Sequence, residues 1–177
     1  GMRGRVETVL RQYKGTEAWA ADVAMSAYPM ALLYGTGITE MQGTTGIAGD
    51  ATERRVFAAT ARLKIQKLVD GLPVDHACGF NGSIAEGFAM ADGQALARYS
   101  AEINVGGSQT YGFNWRLNQC SATDKAGTWR ITFSFDDQVS IGGKTYNNNT
   151  AIGSLHSSET GAVLFDSKTA FIDVVVN

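Results

Sequence analysis

Three stretches in the second half of the chain alternate apolar and polar residues, and they set the expected architecture. From Ala95 to Val105, the residues Ala97, Tyr99, Ala101, Ile103 and Val105 alternate with Arg98, Ser100, Glu102 and Asn104. From Gln109 to Leu117, Tyr111, Phe113, Trp115 and Leu117 alternate with Gly112, Asn114 and Arg116. From Thr128 to Phe135, Trp129, Ile131, Phe133 and Phe135 alternate with Arg130, Thr132 and Ser134. Successive side chains of a strand point to opposite faces, so this period predicts antiparallel strands with one buried face.

The loops between these runs predict a register. Across Gly106-Gly107-Ser108, a two-residue loop would oppose Val105 to Ser108 and Tyr99 to Asn114, mixing apolar with polar on both faces. A three-residue loop opposes Ile103 to Tyr111, Ala101 to Phe113 and Tyr99 to Trp115, and one face is then wholly apolar. A one-residue slip turns every side chain over, so the second register is expected. It also sets Arg98 across from Arg116, a like-charge pair that Glu102 or an external anion would relieve. Asp136-Asp137-Gln138 as a loop would pair Phe135 with Val139 and Phe133 with Ile141. Gly142-Gly143 fits a two-residue primed turn pairing Val139 with Tyr146, and Asp92-Gly93 would join Phe88–Ala91 to the run that follows. Ala162–Phe165 and Phe171–Val176 read as closing strands, the last apolar enough at Ile172, Val174, Val175 and Val176 to be buried on both faces.

The first third has a different period. Val6, Val9, Leu10 and Tyr13 recur at steps of three and four, and Trp19, Val23 and Ala27 at steps of four, so residues 2–34 read as helical, interrupted at Gly15, resumed after a Thr16 cap, and kinked or ended at Pro29. Residues 35–50 are punctuated by Gly35, Gly37, Gly43, Gly46 and Gly49 and read as a long loop or hinge; no lysine is present to complete a phosphate-binding loop. Residues 51–69 carry both helical and alternating signals, with strand favoured after Ala59 and Asp70-Gly71 turning into another strand. The expected fold is mainly β (α+β). A helical segment and glycine-rich loop over 1–50 pack on an antiparallel β domain over 51–177, the two forming one compact unit. The β domain is an up-and-down meander of about seven to nine strands closing as a sandwich or a barrel.

Composition narrows the class. The 177 residues are 44% hydrophobic, enough for a core, and only 18% charged with a net charge of −2, which argues against a nucleic-acid or membrane-surface footprint. No apolar run reaches the length of a membrane span, and the charged start Met2-Arg3-Gly4-Arg5 has no apolar stretch of a signal peptide. The two cysteines, Cys78 and Cys120, have no zinc-ligand spacing. Two readings stand for them: buried free thiols, implying a cytoplasmic protein, or one disulfide, implying an exported or surface one.

Candidate chemistry is sparse. His76 and Cys78 share a strand face in Asp75-His76-Ala77-Cys78, but a histidine near a strand end explains the pattern without catalysis; His156 lies in a polar loop that lacks the G-x-S-x-G frame. Asp136-Asp137 reads as a turn, and no carboxylate spacing marks a glycosidase or a calcium loop. No catalytic residue, metal or cofactor is assigned. The conspicuous feature is the aromatic stripe of Tyr99, Tyr111, Phe113, Trp115, Trp129, Phe133 and Phe135, a core in the first instance. In a ligand-binding protein, Tyr99, Tyr111, Trp115 and Trp129, with Arg98 and Arg116, would be the contacting residues. A helix, a glycine-rich loop and a meander are similar in order to the headpiece of a truncated type IV pilin, with no shared motif. The function expected is a non-enzymatic binding or assembly domain of a surface, appendage or virion type, with self-association or a protein partner. The alternative is a small-molecule carrier or small enzyme with an aromatic-lined cavity.

Overall fold

Two nine-residue strands, β4 (Ala61–Val69) and β9 (Gly127–Phe135), run antiparallel side by side, and the main sheet is arranged about this pair. The computed structural model describes residues 4–8, 10–13, 53–55, 58, 60–85, 99–103, 109–141, 143–148, 151–153, 155 and 161–177. The other strands in chain order are β1 (Gly4–Thr8), β2 (Arg11–Tyr13), β3 (Glu53–Arg55), β5 (Leu72–Val74), β6 (Phe80–Ser83), β7 (Ser100–Ile103) and β8 (Gln109–Trp115). They are followed by β10 (Gln138–Ile141), β11 (Lys144–Asn147), β12 (Ala162–Asp166) and β13 (Thr169–Val176). A six-stranded sheet runs β12-β13-β9-β4-β5, with β6 also on β4; a three-stranded sheet runs β1-β8-β7; β10–β11 and β2–β3 form two-stranded ribbons.

The ambiguous 51–69 region resolves as expected after Ala59. Ala61, Leu63 and Ile65 of β4 are buried, while Arg62, Lys64 and Gln66 alternate with them on the other face. Burying Leu63 and Ile65 contributes about 1.5–3 kcal/mol each. The turn is a primed one: Asp70 and Gly71 have φ of 51° and 78°, and Val69 faces Leu72. Past it, β5 and β6 lie one after the other along the same edge of β4. Two steps along β4, from Lys67 to Ile65, are matched by six along the partner, from Val74 to Phe80. The surplus residues leave the ladder as a loop that carries Cys78. At its foot a Cβ on Gly79 would stand 2.0 Å from the Ile65 carbonyl oxygen, so only glycine lets the chain rejoin the sheet. Gly79→Ala is therefore expected to destabilise by about 1–3 kcal/mol, the range for overpacking, measured by urea unfolding; a loss under a few tenths would refute the close approach.

Several expectations are corrected. Residues 4–8 and 11–13 are strands, not helix: β1 pairs with β8, Val6 opposite Phe113. A short helix is marginal on its own, and Gly4, Val6 and Thr8 fit a strand's inner face equally well. Residues 14–52, including the expected helical segment after Gly15 and the whole glycine-rich loop, lie outside the described residues, as does the Asp92-Gly93 hairpin. The pilin-like order of elements fails with the first helix. The β7–β8 register is two residues from the expected one, with Ala101 opposite Tyr111 and Ile103 opposite Gln109. A two-residue shift keeps every side chain on its face, so patterning cannot tell the two registers apart. The expected pairing of β9 with β10 is absent; β9 lies between β4 and β13, with Phe133 opposite both Leu63 and Ala170. This topology is no up-and-down meander, and the described strands form no closed barrel. Val139 does pair with Tyr146 as expected, in the separate β10–β11 ribbon.

The six-stranded and three-stranded sheets meet through rings. Phe80 stacks on Phe113 at 4.1 Å, Tyr111 meets Phe133 edge-on at 5.7 Å, and Trp115 meets Trp129 at 5.2 Å. Cys78 and Cys120 form a disulfide with 6.0 Å between Cα atoms, joining the loop beside β4 to the turn that follows β8. The disulfide reading is thus the one observed, and it is compatible with an exported protein.

Candidate functional site

The aromatic candidates come together inside the protein. Tyr99, Tyr111, Trp115 and Trp129 are all buried, Tyr111 and Trp129 completely. Their polar ends are mostly engaged by the protein's own backbone. The Trp115 indole donates to the Cys78 carbonyl at 2.7 Å, the Trp129 indole donates to the Lys125 carbonyl at 2.8 Å, and the Tyr111 hydroxyl accepts from the Ala58 amide at 2.6 Å. Lys125 is held in place by a single helical turn, Ala122–Lys125, whose first amides are capped by the Ser121 hydroxyl accepting from Asp124 N–H. Tyr99 differs: among the described residues its buried hydroxyl has no partner. Burial, and next the neighbouring Tyr111, push its pKa well above the ordinary value, so it stays neutral.

The remaining candidates are dispersed. Arg98 and His156 lie outside the described residues. Arg116 is exposed, past the end of β8, at the start of the 3-10 turn Leu117–Gln119. With the register moved by two residues, the expected opposition of Arg98 to Arg116 no longer follows. The Cys78 sulfur is committed to the disulfide, and the His76 imidazole accepts from the Cys78 amide and rests edge-on against Trp129. Asp75 accepts from Gln66. Asp136 pairs with Arg62, and the Lys168 ammonium holds the Asp137 carboxyl below its ordinary pKa. Among the described residues no group of three His, Cys, Asp or Glu could hold a metal ion.

A surface the sequence reading missed lies on the outer face of the six-stranded sheet. By register, Val163 of β12 faces Phe171 of β13, and Phe171, Asp173 and Val175 share that face with Thr132, Arg130 and Thr128 of β9. Val175 is 71% exposed, Phe165 72% and Val163 44%. The last strand is therefore not buried on both faces, contrary to expectation: only Ala170, Ile172, Val174 and Val176 turn toward the core side. The signal that could have shown this is Asp173, a carboxylate in the middle of an apolar run. The Arg130 guanidinium grips Asp173 with two hydrogen bonds of 2.8 and 2.9 Å and lies 3.9 Å from the Phe171 ring centre. Hydrogen bonding to Arg130 lowers the Asp173 pKa.

Among the described residues, the β5 and β12 edges of this sheet are blunted. In a two-residue hairpin the closing pair, here Val69 and Leu72, is hydrogen-bonded, so Pro73 turns away from β4 and its missing N–H interrupts the free side of β5. On β12 the register slips between Leu164 and Asp166, leaving Phe165 as an extra residue in a bulge. Proline and bulges disfavour addition of a further strand. Compared with known proteins, this chain matches no family model, no curated protein and no solved structure.

Proposed function

We propose that the chain is a non-enzymatic binding or assembly domain that works outside reducing compartments and makes contact through the β12–β13 end of its main sheet. One observation carries the reading: Val163 and Phe165 of β12 are exposed beside Phe171, and Val175 is exposed farther along the same face of β13, past the Arg130–Asp173 pair. Exposed apolar side chains that share one sheet face with a charged pair suit a contact surface. The disulfide supports the compartment.

Sedimentation over a range of protein concentrations tests it. Association that grows with concentration is expected for the wild type and is expected to be lost in the double variant Phe165→Ser, Val175→Ser. The unfolding midpoint of that variant should stay where it was, as for other surface substitutions. A wild type that stays monomeric throughout, or a variant that associates equally well, counts against assembly through this face.

A further inference from the structure

We propose that the Tyr99 hydroxyl marks an internal binding position between the two sheets, taken by a small neutral guest that offers a hydrogen-bonding oxygen. Water and the polar end of an apolar compound share that chemistry. The inference does not depend on the surface reading above.

Tyr99 is 1% exposed, and among the described residues its hydroxyl is the buried side-chain polar atom that lacks a partner. The contrast with its surroundings is sharp. Both stripe tryptophans and Tyr111 direct their polar atoms onto backbone groups. A phenylalanine would fill the same volume without the cost of stripping water from a hydroxyl. Buried polar groups are hydrogen-bonded as a rule, and an exception calls for a partner outside the chain. The Tyr99 and Tyr111 rings stand 6.3 Å apart and tilted, the widest of the described ring pairs. Tyr99, its neighbour Tyr111, and the Ala58 amide and Phe133 ring that meet Tyr111 carry no charge, which favours a neutral guest. A neutral oxygen that can both donate and accept suits the neutral phenol.

Thermal unfolding of Tyr99→Phe beside Tyr111→Phe tests the proposal. Tyr111→Phe removes a hydroxyl with a known partner and calibrates the loss. With a guest in place, Tyr99→Phe is expected to lower Tm by a comparable amount, about 2–4 °C for a chain of this size. A Tm that is unchanged or raised overturns the proposal, because deleting a truly unpaired buried hydroxyl is neutral or favourable. Mass spectrometry under native and then denaturing conditions separates the two sources. A small organic mass released from the wild type and missing from Tyr99→Phe identifies a ligand; a destabilised variant with no such mass identifies water.

Discussion

Replacing Cys78 and Cys120 together by alanine is expected to lower stability by about 4 kcal/mol, the chain-entropy value for a cross-link of this span. The two residues are 42 apart in sequence, so the bridge removes many extended conformations from the unfolded chain. It also joins the main sheet to the end of the smaller one. Between the cysteines lie β6, β7 and β8, so without the bridge the loop beside β4 and the end of β8 are held together by packing and the Trp115–Cys78 hydrogen bond. Urea unfolding of the oxidised wild type and the double variant measures the effect. The slope of the transition should rise in the variant, because an uncrosslinked chain exposes more surface on unfolding. Treating the wild type with a reductant should reproduce most of the loss. A difference below about 1 kcal/mol would mean that the bridge adds little to packing that is already sufficient.

Trp129→Ala is expected to cost about 3–5 kcal/mol, the usual range for deleting a buried aromatic ring. Trp129 is fully buried in β9, the central strand between β4 and β13. Trp115 packs on its ring at 5.2 Å, His76 meets it at 5.4 Å, and the Lys67 ammonium lies 5.7 Å from its centre. Its indole N–H also satisfies the last carbonyl of the short helix at Lys125. Alanine would leave a cavity at the meeting point of the two sheets. Trp129→Phe should cost less, since most of the ring contact survives and only the Lys125 carbonyl loses its donor. Far-UV circular dichroism through a urea titration is the suitable readout, because tryptophan fluorescence changes with the substitution itself. The loss should be less than additive with that of the cysteine pair, since His76 and Trp115 link the ring to the Cys78 loop. Full additivity would show that ring and bridge act independently.

The candidate surface could be read only partly from the chain. Val163 and Phe171 belong to runs already recognisable as strands, and Asp173 interrupts the last of them with a charge. Their gathering on one exposed face depends on β13 lying between β9 and β12, which no local pattern states. The aromatic stripe could be read as apolar. The single unpaired hydroxyl within it is a matter of which neighbours surround Tyr99, and of nothing in the alternation itself.

By itself, the sequence determined the strands with a strict period of two, the turn at Asp70-Gly71, the pairing of Val139 with Tyr146, and the inward side of β4, β8 and β9. These follow from steric limits on a few adjacent residues and from the need to bury one face. Tertiary structure alone decided that residues 4–8 extend along β8 instead of coiling, because Val6 gains a buried neighbour in Phe113 there. It likewise decided that β9 pairs with β4 and β13, that the β7–β8 ladder sits two residues from the apolar optimum, and that Cys78 meets Cys120. Each of these is a choice among partners far apart in the chain. Alternation is satisfied equally by several of them, and the free energy that separates them comes from packing two whole sheets together.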